Sequence, residues 1–355
     1  MKILLGINAL SSGGAEVFTA ELAVAYTKKG HDVFLVTYAG ILNEKGEDLK
    51  KYLIKNNVTL IDFSLKSKIL LILYYIKLVL KLKPQLIHSN LEQTDLLLII
   101  TKLFSKKTKY FRTLHNIKVF EKYPLWVNKM LFKYYDKNIG CSHYTKTHYQ
   151  IEELRELIIP IDNGVDVSRL SDTVSFNERK SSNLNQTTFI VIGTSQKRFG
   201  EYQKGHDLIV EVFKEIKEDY KVIFLGNLEN METDFPEVKN NPNYKLIGVT
   251  SNINTYIEVS DFVLAPSRFE GLPISTIEAV CSGLPLICSD IEGFLPFTQN
   301  STLVFENENL NDLKDKIEIA INQKDLYKSK GLINKELYIK QFDINEVGSK
   351  YLNLL

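Results

Sequence analysis

Short apolar runs alternate with segments of helical spacing along most of the chain, and this alternation constrains the fold more than any other feature. Residues 2–8 read as a strand, residues 14–29 as a helix and residues 32–37 as a second strand. A strand, a helix and a strand at this spacing predict parallel strands joined by a crossover helix. The predicted fold class is therefore α/β with parallel sheets.

The alternation occurs in two series. The predicted strands are residues 58–63, 86–89, 109–114 and 138–141, then 189–193, 221–225, 244–247, 261–265 and 286–289. Between the series, residues 168–187 are rich in Ser, Asn, Asp and Thr, which indicates a linker. A chain of 355 residues also exceeds one ordinary core. We therefore predict two doubly wound domains, residues 1–165 and 166–336.

The net charge of +1 hides an uneven distribution. Residues 1–160 carry 24 Lys and Arg against 14 Asp and Glu, and the remainder carries 20 against 29. A basic half suits phosphates, nucleic acid or an anionic membrane surface. The three cysteines show no Cys-x-x-Cys spacing, so we expect neither disulfides nor a zinc site, and a reducing cytoplasm fits.

Residues 66–83 form the most apolar stretch. Its uncharged run, residues 69–76, falls well short of the ~20 residues that a membrane span needs. On a helical wheel Lys66, Lys77 and Lys81 cluster on one side, which is compatible with a helix lying on anionic lipid. A helix that covers a sheet shows the same pattern, and we favour that interpretation.

Two carboxylates, Glu270 and Glu278, are separated by seven residues just after the predicted strand 261–265. Pro273 suits the start of a helix and Gly283 its end, so Glu270 falls in the preceding loop. Glu278 interrupts an apolar helix face and needs a partner. Open α/β sheets bind ligands in such loops, and carboxylates accept sugar hydroxyls. A plain helix-start charge and a structural ion pair remain the alternative.

A Gly-Gly turn and three histidines are weaker signals. Gly13 and Gly14 precede the first helix, where backbone amides can approach an anion, although an ordinary tight turn is equally compatible. His88 and His115 each stand at the end of a predicted strand, so they point toward a ligand edge, although a structural role is the favoured interpretation of an isolated histidine. We expect His206 to be solvated at a helix start.

The loop after residue 193 is cationic. Lys197, Arg198 and Lys204 fall between the strand that ends at Gly193 and the next helix, and such groups can hold a diphosphate. An ordinary solvated basic loop is the alternative. The chain contains no Asp-x-Asp pair, so we expect no metal-bound diphosphate and no cofactor.

Together these residues resemble the retaining glycosyltransferases of family 4. The similarity spans nearly the whole chain and is strongest over residues 266–290, which contain Glu270 and Glu278 in that family's E-x7-E spacing. Further matching segments are Gly13-Gly14-Ala15-Glu16, His115-Asn116, Asn163-Gly164-Val165-Asp166 and Lys204-Gly205-His206. The resemblance implies the GT-B fold, in which two Rossmann-like domains face each other across a cleft. It also implies that residues 337–355 return as a helix to the first domain.

By that resemblance the chain binds a nucleotide sugar. Glu270 and His115 should contact the donor sugar and Glu278 the ribose hydroxyls, while Gly13 and Gly14 approach the phosphates or the acceptor. The backbone of the segment Gly271, Leu272, Pro273 and Ile274 should lie near the sugar. Arg198 and Lys204 should stabilise the departing diphosphate, with Lys197 as a further candidate.

Two departures from the family pattern concern the site. Thr194 follows Gly193 where the family usually has an arginine, and either Arg198 or Lys197 replaces that arginine. Residues 292–297 contain no glutamate at the place where the family has a Pro-Glu pair. These departures leave the predicted fold unchanged and concern the donor and the acceptor.

We expect a cytoplasmic, metal-independent, retaining transferase that moves a sugar from a UDP- or GDP-linked donor to a glycan or a lipid-linked glycan in surface polysaccharide synthesis. Nucleic acid is not an expected partner. Peripheral contact with the inner face of an anionic membrane stays open, motivated by the basic first half. The alternatives are a nucleotide-sugar epimerase of the same architecture and a catalytically silent nucleotide-binding subunit.

Overall fold

A computed structural model describes residues 1–118, 123–170, 186–198, 200–250 and 252–355, without the side chains of Lys68 and Arg198. The chain divides into two compact units. Unit 1 contains Met1–Val165 and Asp343–Leu355, and unit 2 contains Asp166–Phe342.

Unit 1 is built on a seven-stranded parallel sheet with the strand order β3-β2-β1-β4-β5-β6-β7. Its strands are β1 (Lys2–Ile7), β2 (Asp32–Thr37), β3 (Thr59–Asp62), β4 (Leu86–Ser89), β5 (Lys109–Leu114), β6 (Lys137–Gly140) and β7 (Ile158–Pro160). Its helices are α1 (Gly14–Lys28), α2 (Glu44–Lys55), α3 (Leu71–Leu82), α4 (Glu92–Ile99), α5 (Leu125–Tyr134), α6 (His143–Thr147) and the C-terminal α14 (Ile344–Leu352). Short 3₁₀ helices cover Lys68–Leu70, Ile100–Phe104 and Glu152–Leu157.

Unit 2 is built on a six-stranded parallel sheet with the strand order β12-β11-β8-β13-β14-β15. Its strands are β8 (Thr187–Ile192), β11 (Tyr220–Leu225), β12 (Tyr244–Gly248), β13 (Phe262–Ala265), β14 (Leu286–Ser289) and β15 (Thr302–Phe305), with β9 (Lys197–Arg198) and β10 (Glu201–Tyr202) forming a separate two-stranded ribbon. Its helices are α7 (His206–Phe213), α8 (Met231–Asp234), α9 (Glu237–Asn240), α10 (Ile253–Glu258), α11 (Ile274–Cys281), α12 (Leu310–Asn322) and α13 (Lys324–Phe342). Short 3₁₀ helices cover Val167–Arg169 and Glu292–Phe297.

The central strands of both sheets are buried because they are nearly continuous apolar runs, whereas the edge strands β3 and β12 are partly exposed. In β1 every residue after Lys2 is buried, as expected for a central parallel strand covered on both faces. The core of unit 2 is formed by strand residues such as Phe189 and Phe262 together with the apolar faces of α7 and α12. The prediction of two doubly wound parallel sheets is confirmed.

The return to unit 1 begins at Asp343, six residues later than the predicted Leu337. Residues 324–342 form one helix whose Tyr338 and Phe342 pack on Phe297 of unit 2. The backbone then joins unit 1, where Ile344 N donates to Val165 O at 2.9 Å. The predicted single helix over 337–355 is therefore divided between α13 and α14.

Most of the predicted linker, residues 171–185, lies outside the described residues. Its first part is folded, because Val167–Arg169 forms a 3₁₀ helix and Asn254 Nδ2 donates to Arg169 O at 2.8 Å. Among the described helices, none combines the length and the apolarity that crossing a bilayer requires.

Candidate active site in unit 2

The candidate site lies at the switch point of the second sheet. From β8 the chain builds β11 and β12 on one side, then crosses to β13 on the other side. The carboxyl ends of β8 and β13 therefore border the point at which the strand order reverses, where open α/β sheets bind ligands. The predicted site residues of unit 2 follow these strands, in residues 193–204 and 266–278.

Gly205 brings the two segments together. Its φ is +65°, and a side chain there would collide with the carbonyl oxygen of Pro266. Both observations require glycine, because other residues avoid this conformation and a backbone oxygen cannot give way. The close approach places Lys204 next to the loop that follows β13.

Hydrogen bonds from Arg268 and Gln203 fix the same arrangement. Arg268 N donates to Gln203 O at 2.9 Å, and Gln203 Nε2 donates to Phe269 O at 2.9 Å. The Arg268 guanidinium binds both carboxylate oxygens of Asp207 at 2.9 and 2.8 Å, a bidentate geometry that holds the loop to α7. Arg268 therefore supports the site, with its charge neutralised by a carboxylate.

Lys204 and Glu270 face each other at the end of these segments. Lys204 Nζ lies 2.5 Å from Glu270 Oε1, and both side chains are mostly buried. The contact is an ion pair without hydrogen-bond geometry, since Oε1 accepts no hydrogen bond from the described residues. An ammonium ion can bind a phosphate, and a carboxylate can accept hydrogen bonds from hydroxyls. Lys204 therefore suits the phosphate of a sugar phosphate, and Glu270 suits its sugar.

Two glycines make room for this pair. A Cβ at Gly193 would lie 2.9 to 3.0 Å from three carbons of the Lys204 side chain. A Cβ at Gly293 would lie 2.5 Å from the carbonyl oxygen of Glu270. Gly293 comes from the segment in which the family's Pro-Glu pair is missing, so that segment supports Glu270 through its backbone.

Glu278 has the partner that its position on an apolar helix face requires. It lies on α11, is almost fully buried and forms an ion pair with the partly exposed guanidinium of Arg169. The charge is thus compensated, as burial demands. The pairing leaves open the predicted contact of Glu278 with ribose hydroxyls, which stays a prediction.

The segment between the two glutamates is buried except for the half-buried Ser275. Gly271, Leu272, Pro273 and Ile274 all have little exposed surface. Pro273 caps α11, and its carbonyl accepts from the amides of Thr276 and Ile277 at 3.2 Å. The predicted proximity of this segment to a donor sugar stays a prediction.

The cationic loop contributes less free charge than the sequence suggests. Lys197 Nζ lies 3.4 Å from Asp234 Oδ2 and 4.8 Å from the centre of the Tyr202 ring. These contacts hold its ammonium between Tyr202 of β10 and Asp234 of α8. The side chain of Arg198 lies outside the described residues, so its predicted role stays a prediction.

In unit 1 the Gly13–Gly14 turn is shielded by a carboxylate. Gly13 caps α1, and a Cβ at Gly13 would collide with the carboxylate of Glu16. That carboxylate lies at the helix N-terminus, where the helix dipole favours a negative group. A phosphate bound at Gly13 and Gly14 must displace it, because the two anions repel each other.

His115 and His88 lie in an aromatic and hydroxylic cluster. Burial lowers the pKa of His115 to about 4 and that of His88 to about 3, with a further contribution from His115 to the latter. His88 Nε2 lies 2.8 Å from Thr113 Oγ1, and Tyr351 OH lies 3.2 Å from the same oxygen. His115 Nε2 has no hydrogen-bond partner among the described residues. A neutral imidazole with an unused nitrogen suits hydrogen bonding to a hydroxyl.

The expected solvation of His206 is wrong. The ring is fully buried and stacks on Phe224 with ring centroids 5.7 Å apart. Burial, followed by the charge of Lys204, lowers its pKa to about 3. The reason is that Gly205 turns the chain into α7 so tightly that the next side chain points into the core.

Several supporting residues escape sequence reasoning. Arg169 is one, although the apolar setting of Glu278 signals that a partner must exist. Gly293, Gln203 and the ion pair of Arg268 with Asp207 are others. Among the described residues, no group of three or more His, Cys, Asp or Glu side chains is placed to hold a metal ion.

Two families match the chain. Residues 174–335 match the family Glycosyl transferases group 1. Residues 12–169 match Glycosyltransferase Family 4. The two matches follow one another and together span most of the sequence.

The individual relatives reported next have modest sequence identity to this chain. An uncharacterized glycosyltransferase of Methanocaldococcus jannaschii is 28% identical over 211 residues, 58% of this chain and 55% of the relative. An Escherichia coli UDP-Gal:alpha-D-GlcNAc-diphosphoundecaprenol alpha-1,3-galactosyltransferase is 26% identical over 257 residues, 67% of this chain and 64% of the relative. The matched part thus spans less than two thirds of either relative.

Among solved structures, Anabaena HepE in complex with UDP and glucose has a TM-score of 0.79 at 16% identity. The match covers 99% of this chain and 98% of that one. At this identity the likeness shows the fold.

Proposed function

Because this chain belongs to the glycosyltransferases of group 1 and has the GT-B fold, we propose that it transfers a sugar from a UDP- or GDP-linked donor with retention of anomeric configuration. The observation that carries the proposal is the Lys204–Glu270 pair at the switch point of unit 2. It offers a cation for a diphosphate next to an acceptor of sugar hydroxyls. The donor of this chain is inferred from that chemistry, with support from the UDP complex of HepE.

In the proposed reaction the bond between the anomeric carbon and the diphosphate oxygen breaks, and an acceptor hydroxyl forms the new bond on the same face. The acceptor proton passes to the departing diphosphate. Lys204 stabilises the negative charge that develops on that diphosphate, an electrostatic role that requires no metal. Glu270 orients the sugar by accepting from its hydroxyls, so no covalent glycosyl intermediate is needed.

We propose a glycan or a lipid-linked glycan in surface polysaccharide synthesis as the acceptor. The E. coli relative whose name specifies a diphosphoundecaprenol acceptor supports this class. The neutral His115, with its unused Nε2, is the proposed contact of unit 1 with a sugar hydroxyl.

Substitution of the facing pair tests the proposal. We expect Lys204→Ala and Glu270→Gln each to lower turnover about 10²- to 10³-fold, the usual cost of removing one strong contact to a transition state. Lys214→Ala is the matched control, because Lys214 forms an exposed ion pair with Glu211 on the surface of the same unit. Turnover is measured as UDP or GDP released from a panel of nucleotide sugars, with and without glycan acceptors.

The products decide between the functions. Nucleotide release together with a glycosylated product of retained configuration, seen by NMR of its anomeric proton, is the expected result. An isomerised donor without acceptor would indicate an epimerase. Binding of nucleotide sugars with no release from any of them would indicate a silent subunit. Full turnover in Lys204→Ala would refute the role of that cation.

A further inference from the structure

Unit 1 has a face on which exposed apolar side chains and lysines occur together, and sugar transfer as proposed above does not use it. The face is formed by α3, the 3₁₀ helix Ile100–Phe104 and α5. These elements cover the same side of the first sheet, because Val79 of α3 and Leu131 of α5 belong to one core cluster with Ile87 of β4. We call this surface the basic apolar face.

Helix α3 is apolar on its outer side as well as on its inner side. Leu71, Tyr75 and Val79 are buried against the sheet. On the outer side Leu73 is 50% exposed and Leu80 is 48% exposed. A helix that only covers a sheet normally has a polar outer face, so the burial of α3 in unit 1 leaves its outer apolar side chains unexplained.

The same character extends beyond α3. Lys102 Nζ donates to Tyr134 O at 2.6 Å, which joins the 3₁₀ helix to the end of α5. Leu103 is 76% exposed on the former and Trp126 is 67% exposed on the latter. Of the 16 exposed large apolar residues in the described part of unit 1, 11 fall within residues 65–134. These are Leu65, Ile69, Leu70, Ile72, Leu73, Leu80, Leu103, Phe104, Leu125, Trp126 and Tyr134.

The excess positive charge of the chain's first half is confined to the same segment. Residues 65–134 contain 14 Lys and Arg against 3 Asp and Glu, while the other residues of unit 1 contain 11 against 14. The exposed lysines of the segment include Lys77 and Lys81 on α3 and the neighbouring Lys106 and Lys107. The apolar surface therefore lies within a positive field.

We infer that the basic apolar face docks on an anionic phospholipid bilayer. Lysines near such a surface are attracted to its headgroups, and outward Leu, Ile, Phe and Trp side chains enter the boundary between headgroups and acyl chains. A bilayer is the partner that is both negative at its surface and apolar beneath it. A nucleic acid offers the charge without the apolar layer, and a second copy of the face would oppose like charges across a two-fold axis.

Vesicle flotation tests the inference with the full chain and no donor. The probes are vesicles of phosphatidylcholine alone and vesicles in which part of it is replaced by phosphatidylglycerol. We expect binding to the anionic vesicles at low salt, and weaker binding at about 1 M salt, where the Debye length falls to about 3 Å. Absence of binding to anionic vesicles at low salt would refute the inference.

Matched variants locate the contact. Lys77→Gln with Lys81→Gln should weaken binding roughly 25-fold, about fivefold for each lysine near an anionic surface. The control is Lys51→Gln with Lys55→Gln, which removes two exposed lysines at the same spacing from α2. Leu73→Ser with Leu103→Ser should weaken binding by at least tenfold, since each leucine loses its apolar contact. Its control is Ile333→Ser with Leu337→Ser on α13.

These residues are exposed, so we expect all four double variants to fold and to retain turnover of a soluble donor. Equal binding by variants and controls would contradict the inference. So would a dimer in sedimentation that Leu73→Ser with Leu103→Ser dissociates, because the face would then join two copies. Lys204→Ala should lose turnover but still float with anionic vesicles. The proposed sugar transfer and the proposed membrane docking are therefore tested independently.

Discussion

Gly193 and Gly293 determine where the two facing charges lie, although neither glycine has a side chain to contribute. A methyl group at either position would meet Lys204 or the backbone of Glu270 at 3.0 Å or less. The carbonyl at Glu270 belongs to the backbone and cannot move independently, whereas the Lys204 side chain can adopt another rotamer. Gly293 is therefore the more restrictive of the two positions.

His206 gives the protein a dependence of stability on pH. Its pKa is lowered to about 3 in the folded chain, against about 6.5 in the unfolded chain. Below about pH 6.5 the unfolded state binds a proton that the folded state does not, so stability falls as the pH decreases toward the folded pKa. His206→Leu should reduce the loss of unfolding free energy between about pH 7 and pH 5 by roughly 2 kcal/mol.

Urea unfolding at the two pH values measures this difference. His143→Leu is the control, because His143 is exposed at the start of α6 and its replacement leaves the buried ring in place. The same pH dependence in His206→Leu and in the unsubstituted protein would contradict the assignment.

At the residue scale the sequence predicts which residues belong to the candidate site better than it predicts the residues with which they form contacts. Lys204, Glu270 and Glu278 are predicted as site residues from their types and their neighbours. Their partners are less accessible, because Arg169 lies 109 positions from Glu278 and depends on how the chain folds between them. The burial of His206 follows from the positive φ at Gly205, and the amino-acid sequence does not reveal that backbone conformation.

Helix α11 depends on an ion pair with the 3₁₀ helix Val167–Arg169. Arg169→Ala would leave the Glu278 carboxylate buried without this partner, so we expect a loss of about 1–3 kcal/mol in the free energy of unfolding. Adding Glu278→Gln should restore part of the loss, because a neutral amide is less costly to bury than an unpaired charge. Equilibrium urea unfolding of the two single variants and the double variant measures the coupling.

The control for this cycle is Lys314→Ala with Glu215→Gln, an ion pair of unit 2 whose carboxylate is well exposed. Exposed pairs of this kind are worth about 0–1 kcal/mol. A coupling energy between Arg169 and Glu278 no larger than that of the control would contradict the argument.

At the element scale the predicted strands and helices are largely found, since long runs such as β1 and α1 have clear periodicity. The strands β7 and β15 are not among the predicted strands, and β7 contains only three residues. The predicted return to unit 1 at Leu337 is six residues too early because Tyr338 and Phe342 pack on Phe297 of unit 2, and periodicity does not indicate which unit a helix contacts.

The whole molecule depends on α14, which completes unit 1 from the far end of the chain. Ile344, Val347 and Tyr351 are fully buried there. Because each buried side chain contributes about 1.5–3 kcal/mol, deletion of residues 343–355 should destabilise unit 1 by roughly 5 kcal/mol while unit 2 stays folded. Hydrogen exchange followed by mass spectrometry resolves the two units.

Deletion of residues 353–355 alone is the control, since α14 ends at Leu352. If the truncated chain does not accumulate, the milder variant Ile344→Ala replaces it. This variant should lower the free energy of unfolding by about 2–5 kcal/mol. Equal loss of protection in both units would contradict the division.

The contact between Val165 and Ile344 makes unit 2 an insertion within unit 1. The chain leaves unit 1 after Val165 and re-enters it at Asp343, and the two points are joined by a backbone hydrogen bond of 2.9 Å. Both ends of the insert thus meet at one place in unit 1. A segment attached in this way can be exchanged as one piece. Recombination that replaces only unit 2 would leave the two chain ends of unit 1 already next to each other.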